Sequence, residues 1–325
     1  MKPTEIELGD LQAARRRIAA HIVPLHIAPS AALSQQFDAS LLLAHEYLQT
    51  TGAFKLRGAM NSVLQLAADT KGVTAVSTGN HGRALAYAAR QAQLPCVICM
   101  SELAPRNKLE AIRALGAETR IVGQSQDQAE IEAKRLVLEE GYTMIPPFEH
   151  PHVIAGQGTL GLEMLEQVPD LDTVLVPLSG GGLISGIALA TKQQKPEVRI
   201  IGISMERGCA MHTSQQAGKP VDIEELPTLA DSLGGGIGLD NRLTFGLVRD
   251  YVDELVLLSE AEIATGIRHA YFKEQIILEG GAAVGIAALL AGKVACGNKT
   301  LILLSGKNID MELHRKIINQ EFQLH

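Results

Sequence analysis

The amino-acid sequence predicts an α/β protein that consists of two doubly wound units with mainly parallel sheets. Short apolar runs of strand length alternate with helix-like segments along the 325 residues, and this alternation is typical of parallel sheets covered by helices. Several of the apolar runs end in a polar or glycine-rich loop, which is where α/β sheets bind their ligands. Pro146 and Pro147 mark the best boundary between two groups of elements.

The first group of elements predicts four strands with three intervening helices. The strands are 73–77, 96–100, 119–122 and 142–145, and the helices are 82–93, 107–115 and 125–140. Ser125 and Gln128 fit a capping box, in which each side chain bonds the backbone N–H of the other residue. This group therefore predicts a compact parallel unit.

The second group repeats the same alternation. The predicted strands are 173–178, 198–203, 254–258 and 300–304. One helix is predicted at 154–167. Three more helices are predicted to begin after the glycine loop at 180–182, after Ser259 and at Asp310. Ser259 and Glu262 fit a second capping box. A second parallel unit follows from this pattern.

Composition and charge exclude several classes of function. The formal net charge is −7, whereas a nucleic-acid partner requires a basic face. Residues 1–10 are partly acidic and lack the apolar segment of a signal peptide. The uncharged run 173–191 is long enough to cross a bilayer. Its proline and glycines are instead typical of a strand that is followed by a glycine loop and the start of a helix. We expect neither a nucleic-acid partner nor a membrane span.

Cys96 and Cys99 form a C-x-x-C pair, a spacing found in redox and metal sites. Both residues lie on a predicted strand, where positions i and i+3 face opposite sides. The sequence contains no second pair of this kind. We therefore expect buried, reduced thiols in a cytoplasmic protein, with no metal.

Lys55 is a candidate nucleophile because its neighbours Phe54 and Leu56 are apolar. Removal of water from an ammonium group disfavours the charged form and leaves a free amine. Such an amine forms a Schiff base with a carbonyl cofactor or substrate. Taken alone, the segment also fits a surface lysine whose stem lies on a helix while its ammonium reaches solvent.

Three loops after predicted strands carry complementary chemistry. In residues 179–183 (Ser-Gly-Gly-Gly-Leu) consecutive backbone N–H groups can converge on a phosphate at a helix start, although a tight turn without a ligand also fits. Residues 77–82 (Ser-Thr-Gly-Asn-His-Gly) offer hydroxyls and N–H groups for a carboxylate, and Asn80 can donate to a phenolate oxygen. Ser305 can bond a neutral ring nitrogen. Together with Lys55, these loops describe a pyridoxal-phosphate pocket.

The sequence resembles the fold-type-II family of pyridoxal-phosphate enzymes, which includes threonine and serine dehydratases and serine racemases. The resemblance runs from about residue 24 to residue 308. It implies the tryptophan-synthase-β-like fold, with a large cofactor-binding domain from residues 1–70 and 147–325 and a small domain from residues 71–146 that closes over the substrate. The motifs that carry it are Glu46-x-x-Gln49-x-Thr51-Gly52-Ala53-Phe54-Lys55-x-Arg57-Gly58-Ala59, the loops 77–82 and 179–183, and Ser305-Gly306-Lys307-Asn308.

The resemblance also assigns residues to roles. Lys55 is the catalytic Schiff-base lysine, Asn80 bonds the ring hydroxyl of pyridoxal 5′-phosphate, and Ser305 faces the ring nitrogen. Phe54 is implied to contact the cofactor, and its phosphate is bound by Gly180, Gly181, Gly182 and Leu183. Glu279 and Gly235 or Gly236 are implied to lie near its ring. The substrate carboxylate is received by the loop of Ser77, Thr78, Gly79, Asn80 and His81, in which His81 is mainly structural. Relatives that bind a divalent cation have carboxylates where this chain has Ser204 and Ala210, which predicts no metal.

The implied reaction is dehydration and deamination of a β-hydroxy amino acid such as threonine or serine to a 2-oxo acid and ammonia, by a homodimer. Ala44, Ala53 and Lys307 depart from the usual family pattern. The glycine-rich stretch 229–238, with residues 278–282, is most similar to the dehydratase-like proteins of hydroxyectoine utilisation. The physiological substrate therefore stays open.

Three alternatives to a dehydratase are kept. The same fold supports amino-acid racemases. A dinucleotide-binding oxidoreductase would use Gly180, Gly182 and Gly186 with Glu206, although this glycine spacing is one residue too long. A binding protein without activity would not need Lys55.

Overall fold

The computed structural model describes residues 6–77, 79–102 and 106–322, which form one six-stranded and one four-stranded sheet with helices packed around them. The strands are β1 Ile27–Pro29, β2 Ser40–Ala44, β3 Val73–Val76, β4 Cys96–Met100, β5 Glu118–Ile121, β6 Thr143–Met144, β7 Thr173–Pro177, β8 Arg199–Met205, β9 Glu254–Leu258 and β10 Lys299–Leu303.

Helices cover both sheets. They are α1 Leu8–Ile18, α2 Ala31–Phe37, α3 Lys55–Val63, α4 Asn80–Gln91, α5 Arg106–Ala114, α6 Gln126–Glu140, α7 Pro151–Gln167, α8 Gly182–Lys192, α9 Ala210–Ala217, α10 Leu243–Tyr251, α11 Glu260–Phe272, α12 Gly280–Leu290 and α13 Met311–Ile318. Short 3-10 turns lie at Glu46–Leu48 and Asp231–Leu233. Within the described ranges, no helix is both long and apolar enough to cross a membrane.

Strand order places the candidate loops along shared sheet edges. The larger sheet has the order β1-β2-β10-β7-β8-β9, and the smaller sheet has the order β5-β4-β3-β6. All neighbouring strands are parallel except β1 and β2. Because β10 lies beside β7, the loops that follow these two strands leave the same edge of the sheet.

The predicted α/β class and the predicted strands are confirmed, with ends that differ by at most two residues. Neither β1 nor β2 is among the predicted strands. Ser259 and Glu262 form the predicted capping box. Ser125 caps α6 by accepting from the Gln128 backbone, but the Gln128 side chain takes the N–H of Gln124 instead. The first capping box is therefore only half formed.

Apolar side chains bury both faces of the larger sheet. On β7, Leu175 belongs to one core cluster, whereas Val174 and Val176 belong to the cluster on the opposite face. A strand covered on both faces needs apolar residues at successive positions, and this requirement explains the continuous apolar runs.

The smaller sheet separates the two cysteines of the C-x-x-C pair. Cys96 packs with the cluster that contains Ile98, and Cys99 packs with Val97 in another cluster. Both thiols are free, and burial raises the pKa of Cys96 to about 12. The prediction that the two sulfurs face opposite sides is confirmed.

Helix α3 packs against the four-stranded sheet although it precedes that sheet in the chain. Its Leu56 and Met60 share a core cluster with Val73 and Ile98. The four strands of this sheet lie within residues 73–144, and the strands of the larger sheet lie within residues 27–44 and 173–303. Closure of the smaller unit over the larger one stays a prediction.

Candidate active site

Lys55 begins α3 and points its amine into the protein. Its Nζ atom donates to the backbone oxygen of Pro147 at 2.7 Å. Burial lowers the pKa of Lys55 to about 8, and the negative charge of Glu279 opposes that shift. Lys55 is partly buried, and among the described residues its hydrogen-bond partner is a backbone carbonyl, which favours the buried amine over a lysine that reaches out to solvent.

A buried arginine fixes the helix that carries Lys55. Arg57 is fully buried and donates to Glu46 at 2.7 Å, to Glu163 at 2.5 Å and to the Thr159 hydroxyl at 2.9 Å. Because the bonds run to two different parts of the chain, they hold the first turn of α3 against α7 and the turn after β2. The sequence analysis included Arg57 and Glu46 in the motif but did not anticipate Glu163.

The chain before Lys55 is joined to the chain after β10. The N–H of Phe54 donates to the oxygen of Ser305 at 2.9 Å, and the N–H of Lys307 donates to the oxygen of Gly52 at 2.9 Å. Gly52 has φ +77°, a conformation that favours glycine. This pairing brings Lys55 next to the end of β10.

Ser305 is 3% exposed, and its hydroxyl makes no hydrogen bond to any residue that the structure describes. A buried hydroxyl normally has a partner. Its position beside the lysine loop is consistent with the predicted contact to a ring nitrogen of a bound group.

The glycine loop lies between β7 and α8. Gly181 has φ +89°, and a Cβ atom on Gly180 would lie 2.4 Å from the ring of Phe148. A Cβ atom on Gly182 would lie 2.9 Å from the Cα of Phe148. Only glycine therefore fits this path, which leaves the N–H groups at the start of α8, including that of Leu183, in place to hold an anion.

One segment of chain connects the lysine with the glycine loop. Phe148 packs under the loop, and the preceding Pro147 accepts the Lys55 hydrogen bond. The following residue, Glu149, accepts the N–H groups of Leu243 at 2.7 Å and Thr244 at 3.0 Å. This segment is therefore attached to the start of α10.

The loop before α4 contains the residues predicted for a carboxylate. The Ser77 hydroxyl oxygen accepts from Gly79 N at 3.3 Å and from Gly82 N at 3.1 Å, so its hydrogen is available to a ligand. Thr78 lies outside the described residues. The role of this loop in carboxylate binding stays a prediction.

His81 is buried and held to the backbone. Its Nε2 atom bonds the oxygen of Ile145 at 2.7 Å. Burial lowers the pKa of His81 to about 3, and the positive charge of Lys55 adds to the shift. The imidazole is therefore neutral, with Nε2 as the donor, which supports a structural role.

Asn80 and Glu279 contact each other directly. Asn80 Nδ2 donates to Glu279 Oε1 at 2.7 Å, and both side chains are buried. Burial raises the pKa of Glu279 to about 7, and the charge of Asp231 adds to the shift, whereas Ser232, Asn80 and the backbone of Asn308 stabilise the ionised form. This carboxyl therefore titrates near neutral pH.

Gly236 does not join this group. It is exposed, and no heavy atom lies within 4 Å of the position that its Cβ would occupy. A Cβ atom on Gly235 would have a Glu225 carboxylate oxygen as its neighbour, at 3.6 Å. Ser232 contacts Glu279 instead. Sequence reasoning missed Ser232 because the local pattern of a glycine-rich run does not show which of its residues contacts a distant side chain.

Asn308 was quoted in a motif but given no role. It connects the lysine loop, Asn80 and Glu279. Within the described residues, no group of three or more His, Cys, Asp or Glu side chains is arranged to hold a metal. Ser204 and Ala210, the positions where metal-binding relatives have carboxylates, offer none.

These residues fit pyridoxal phosphate. A loop that accepts only glycine offers N–H groups to a phosphate, Lys55 offers an amine of lowered pKa to an aldehyde, and Ser305 has a hydroxyl without a described partner. Glu206, the ribose ligand of the dinucleotide alternative, instead pairs with Lys293 at 3.2 Å. The arrangement favours amine chemistry with a phosphorylated carbonyl compound.

Comparisons with known proteins agree with this chemistry. A profile of the family described as "Pyridoxal-phosphate dependent enzyme" matches residues 18–306. The chain is 54% identical to the "Putative threonine dehydratase" of Sinorhizobium fredii, covering 97% of this chain and 96% of that protein. It is 40% identical to the L-threonine ammonia-lyase of Thermotoga maritima, covering 97% and 79%. The structure of maize serine racemase matches with a TM-score of 0.91 at 33% identity, covering 97% and 98%.

Proposed function

The chain belongs to the family of pyridoxal-phosphate-dependent enzymes, and from this premise we propose that it is an ammonia-lyase that dehydrates and deaminates a β-hydroxy amino acid. Threonine and serine are the first substrates to consider, because the similar proteins of Sinorhizobium fredii and Thermotoga maritima are named for threonine. The products are a 2-oxo acid and ammonia.

The residues of the site would hold the cofactor by its three polar ends. Gly180, Gly181 and Gly182 would bind the phosphate, Asn80 the ring oxygen and Ser305 the ring nitrogen. When bound, pyridoxal phosphate supplies an aldehyde for the substrate amine and a ring that draws electrons away from the Cα atom.

Lys55 carries the proton transfers. Its pKa of about 8 leaves a substantial neutral fraction near pH 7–8, and a general base works best when its pKa lies near the working pH. The amine removes the Cα proton of the substrate and passes a proton to the β-hydroxyl, which leaves as water. The released enamine then takes up one water and yields the 2-oxo acid and ammonia. The loop 77–81 binds the substrate carboxylate and so orients the Cα–H bond toward Nζ.

One observation supports this proposal above all others. The Lys55 amine is desolvated and held by the neutral carbonyl of Pro147, not by a carboxylate. A salt bridge would keep the lysine protonated, whereas a single carbonyl leaves the amine reactive.

The test is to incubate the purified protein with L-threonine, L-serine and other β-hydroxy amino acids, and to measure 2-oxo acid and ammonia together. Equal amounts of the two products, formed by a protein with the visible absorption of bound pyridoxal phosphate, are expected. A protein that lacks this absorption after incubation with the cofactor would contradict the proposal.

Racemisation is the second candidate, because the maize serine racemase structure covers nearly the whole chain. The same incubation with L-serine distinguishes the two activities. Pyruvate in large excess over D-serine supports the ammonia-lyase, and comparable rates of formation favour the racemase.

We further propose a cytoplasmic homodimer with a role in hydroxyectoine breakdown. The role rests on the glycine-rich stretch 229–238 and on residues 278–282 alone. Light scattering of the purified protein tests the dimer. Growth on hydroxyectoine after deletion of the gene tests the role.

A further inference from the structure

Asn308 uses its whole amide and its backbone N–H at the meeting point of four chain segments. Its Nδ2 atom donates to the backbone oxygen of Thr51 at 2.9 Å and to Asn80 Oδ1 at 2.7 Å. Its Oδ1 atom accepts from Arg83 Nη1 at 2.9 Å. Its backbone N–H donates to Glu279 Oε2 at 3.1 Å.

The outer partners determine which way the Asn308 amide faces. A backbone oxygen such as that of Thr51 can only accept a hydrogen bond, and the guanidinium of Arg83 can only donate one. Asn308 must therefore direct its NH₂ group toward Thr51 and its oxygen toward Arg83. The second hydrogen of that NH₂ group is then directed to Asn80.

The orientation passes on to Asn80. Because Asn308 donates to it, the Asn80 oxygen is occupied as an acceptor. Both Glu279 oxygens serve as acceptors, Oε2 for the Asn308 N–H and Oε1 for one of the two Nδ2 hydrogens of Asn80. The other Nδ2 hydrogen has no partner among the described residues.

Close packing keeps Asn308 and Glu279 in place. A Cβ atom on Gly52 would lie 2.6 Å from Asn308 Oδ1, and a Cβ atom on Gly306 would lie 2.6 Å from Glu279 Oε1. There is no room for either side chain to be displaced toward these glycines. The network therefore holds one arrangement.

We propose that Asn308 is a positioning residue that fixes the polarity of Asn80, so that Asn80 presents an N–H group, and never its oxygen, to the ring oxygen of pyridoxal phosphate. This inference rests on the proposed cofactor contact of Asn80. A donor at that place stabilises the negatively charged form of the ring oxygen. Arg83 acts through Asn308 as the outermost member of the network.

The network joins the two units of the fold. Asn80 and Arg83 lie on α4, beside the four-stranded sheet, whereas Thr51, Glu279 and Asn308 belong to segments around the six-stranded sheet. The polarity of Asn80 is therefore fixed only while α4 touches the loop after β10.

The test compares Asn308→Asp with Arg83→Met, Arg83→Lys and the control Asn319→Asp, which adds the same charge at an exposed site. Each holoenzyme is titrated spectroscopically without substrate, and its dissociation constant for pyridoxal phosphate is measured. Asn308→Asp has no NH₂ group to donate. We expect a higher pH midpoint of the cofactor absorption and about tenfold weaker cofactor binding, the effect of one lost hydrogen bond.

Arg83→Met should shift the midpoint in the same direction by a smaller amount. Arg83→Lys keeps a donor-only group and should keep the wild-type midpoint, as should Asn319→Asp. Wild-type values in both Asn308→Asp and Arg83→Met would overturn the inference. If Asn308→Asp does not fold, as judged by its circular dichroism, the two Arg83 variants decide alone. Wild-type protein without cofactor absorption would instead refute the proposed function.

Discussion

Arg57 and Glu46 form a two-point ion pair that is closed to solvent. Arg57 Nε lies 2.7 Å from Glu46 Oε1 and Arg57 Nη2 lies 3.1 Å from Glu46 Oε2, and neither side chain is exposed. The planar guanidinium matches the carboxylate at both oxygens. The pair connects the turn after β2 to the helix that begins with Lys55.

Arg57→Met should therefore destabilise the protein strongly, because it leaves Glu46 and Glu163 buried without a counter-charge. Loss of one partner of a buried pair costs about 3–5 kcal/mol in the free energy of unfolding. Urea unfolding measures the change. Arg135→Met is the control, since Arg135 pairs with three acidic residues on the surface, and its urea midpoint should change little. Equal effects of the two substitutions would contradict the prediction.

Lys55→Ala should abolish both turnover and the visible absorption of the bound cofactor, because among the described residues the structure brings no other amine to the glycine loop and Ser305. Absorption spectroscopy and an assay for 2-oxo acid give the two readouts. Borohydride treatment of wild type should attach the cofactor to the peptide that contains residue 55, as read by mass spectrometry. Lys307→Ala is the matched control and should keep the absorption. An active Lys55→Ala enzyme would end the assignment.

Ser305→Asp should slow 2-oxo acid formation. A carboxylate would hold a proton on the ring nitrogen, which strengthens the electron withdrawal of the ring and opens side reactions. Ser305→Ala removes the hydrogen bond without adding charge, so its effect should be milder. The assay follows product ratios as well as rates. The same rate and the same ratio in Ser305→Asp and wild type would show that the ring nitrogen does not face this residue.

Asp231→Asn should move the pH dependence of the enzyme to lower pH. The pKa of Glu279 is raised to about 7 mainly by burial, and the charge of Asp231 adds to the shift, so removal of that charge lowers the pKa. Lys108 lies 2.7 Å from Asp231, and Lys108→Met should move the pH dependence the opposite way because it removes a compensating positive charge.

The pH profile of kcat/KM and the absorption titration both test the Asp231 prediction. Asp250→Asn, which loses a surface pair with Arg249, is the control and should leave both curves in place. Shifts of the same sign in Asp231→Asn and Lys108→Met would contradict the electrostatic explanation.

Acid should destabilise the protein through His81. Its folded-state pKa of about 3 lies below the ordinary value, so the unfolded chain binds the proton first. This contribution to stability is complete above about pH 6.5 and is lost as the pH falls toward 3, by at most about 1.4 kcal/mol per pH unit. Urea unfolding of wild type and His81→Asn between pH 7 and pH 5 should show a flatter dependence in the variant. His21→Asn, outside the site, should follow wild type.

The sequence predicted β7, β8 and β10 because each is a dense apolar run that is buried on both faces. It predicted Lys55, Asn80, the glycine loop and Ser305 because each stands at an element boundary in a recognisable local pattern. It did not predict the five-residue β2 or β1, which is only three residues long at a sheet edge. Local patterns are too short to identify such a strand.

Contacts between distant segments were the other class that sequence reasoning missed. Glu163 meets Arg57 across 106 positions of the chain, and Asn308 meets Asn80 across 228. No local spacing encodes these pairs, since they depend on how the sheets stack. The contact between Ser232 and Glu279 was missed for the same reason, because the local pattern of a glycine-rich run does not show which of its residues lies near a distant side chain.

The Lys55 amine and the imidazole of His81 both form hydrogen bonds to backbone oxygens of one short segment, those of Pro147 and Ile145. Mutational scanning replaces side chains and leaves such carbonyls untouched. A scan of this protein would therefore score residues 145 and 147 by their hydrophobic packing alone. An amide-to-ester replacement, which weakens a single carbonyl as an acceptor, is the perturbation that would reach these two contacts.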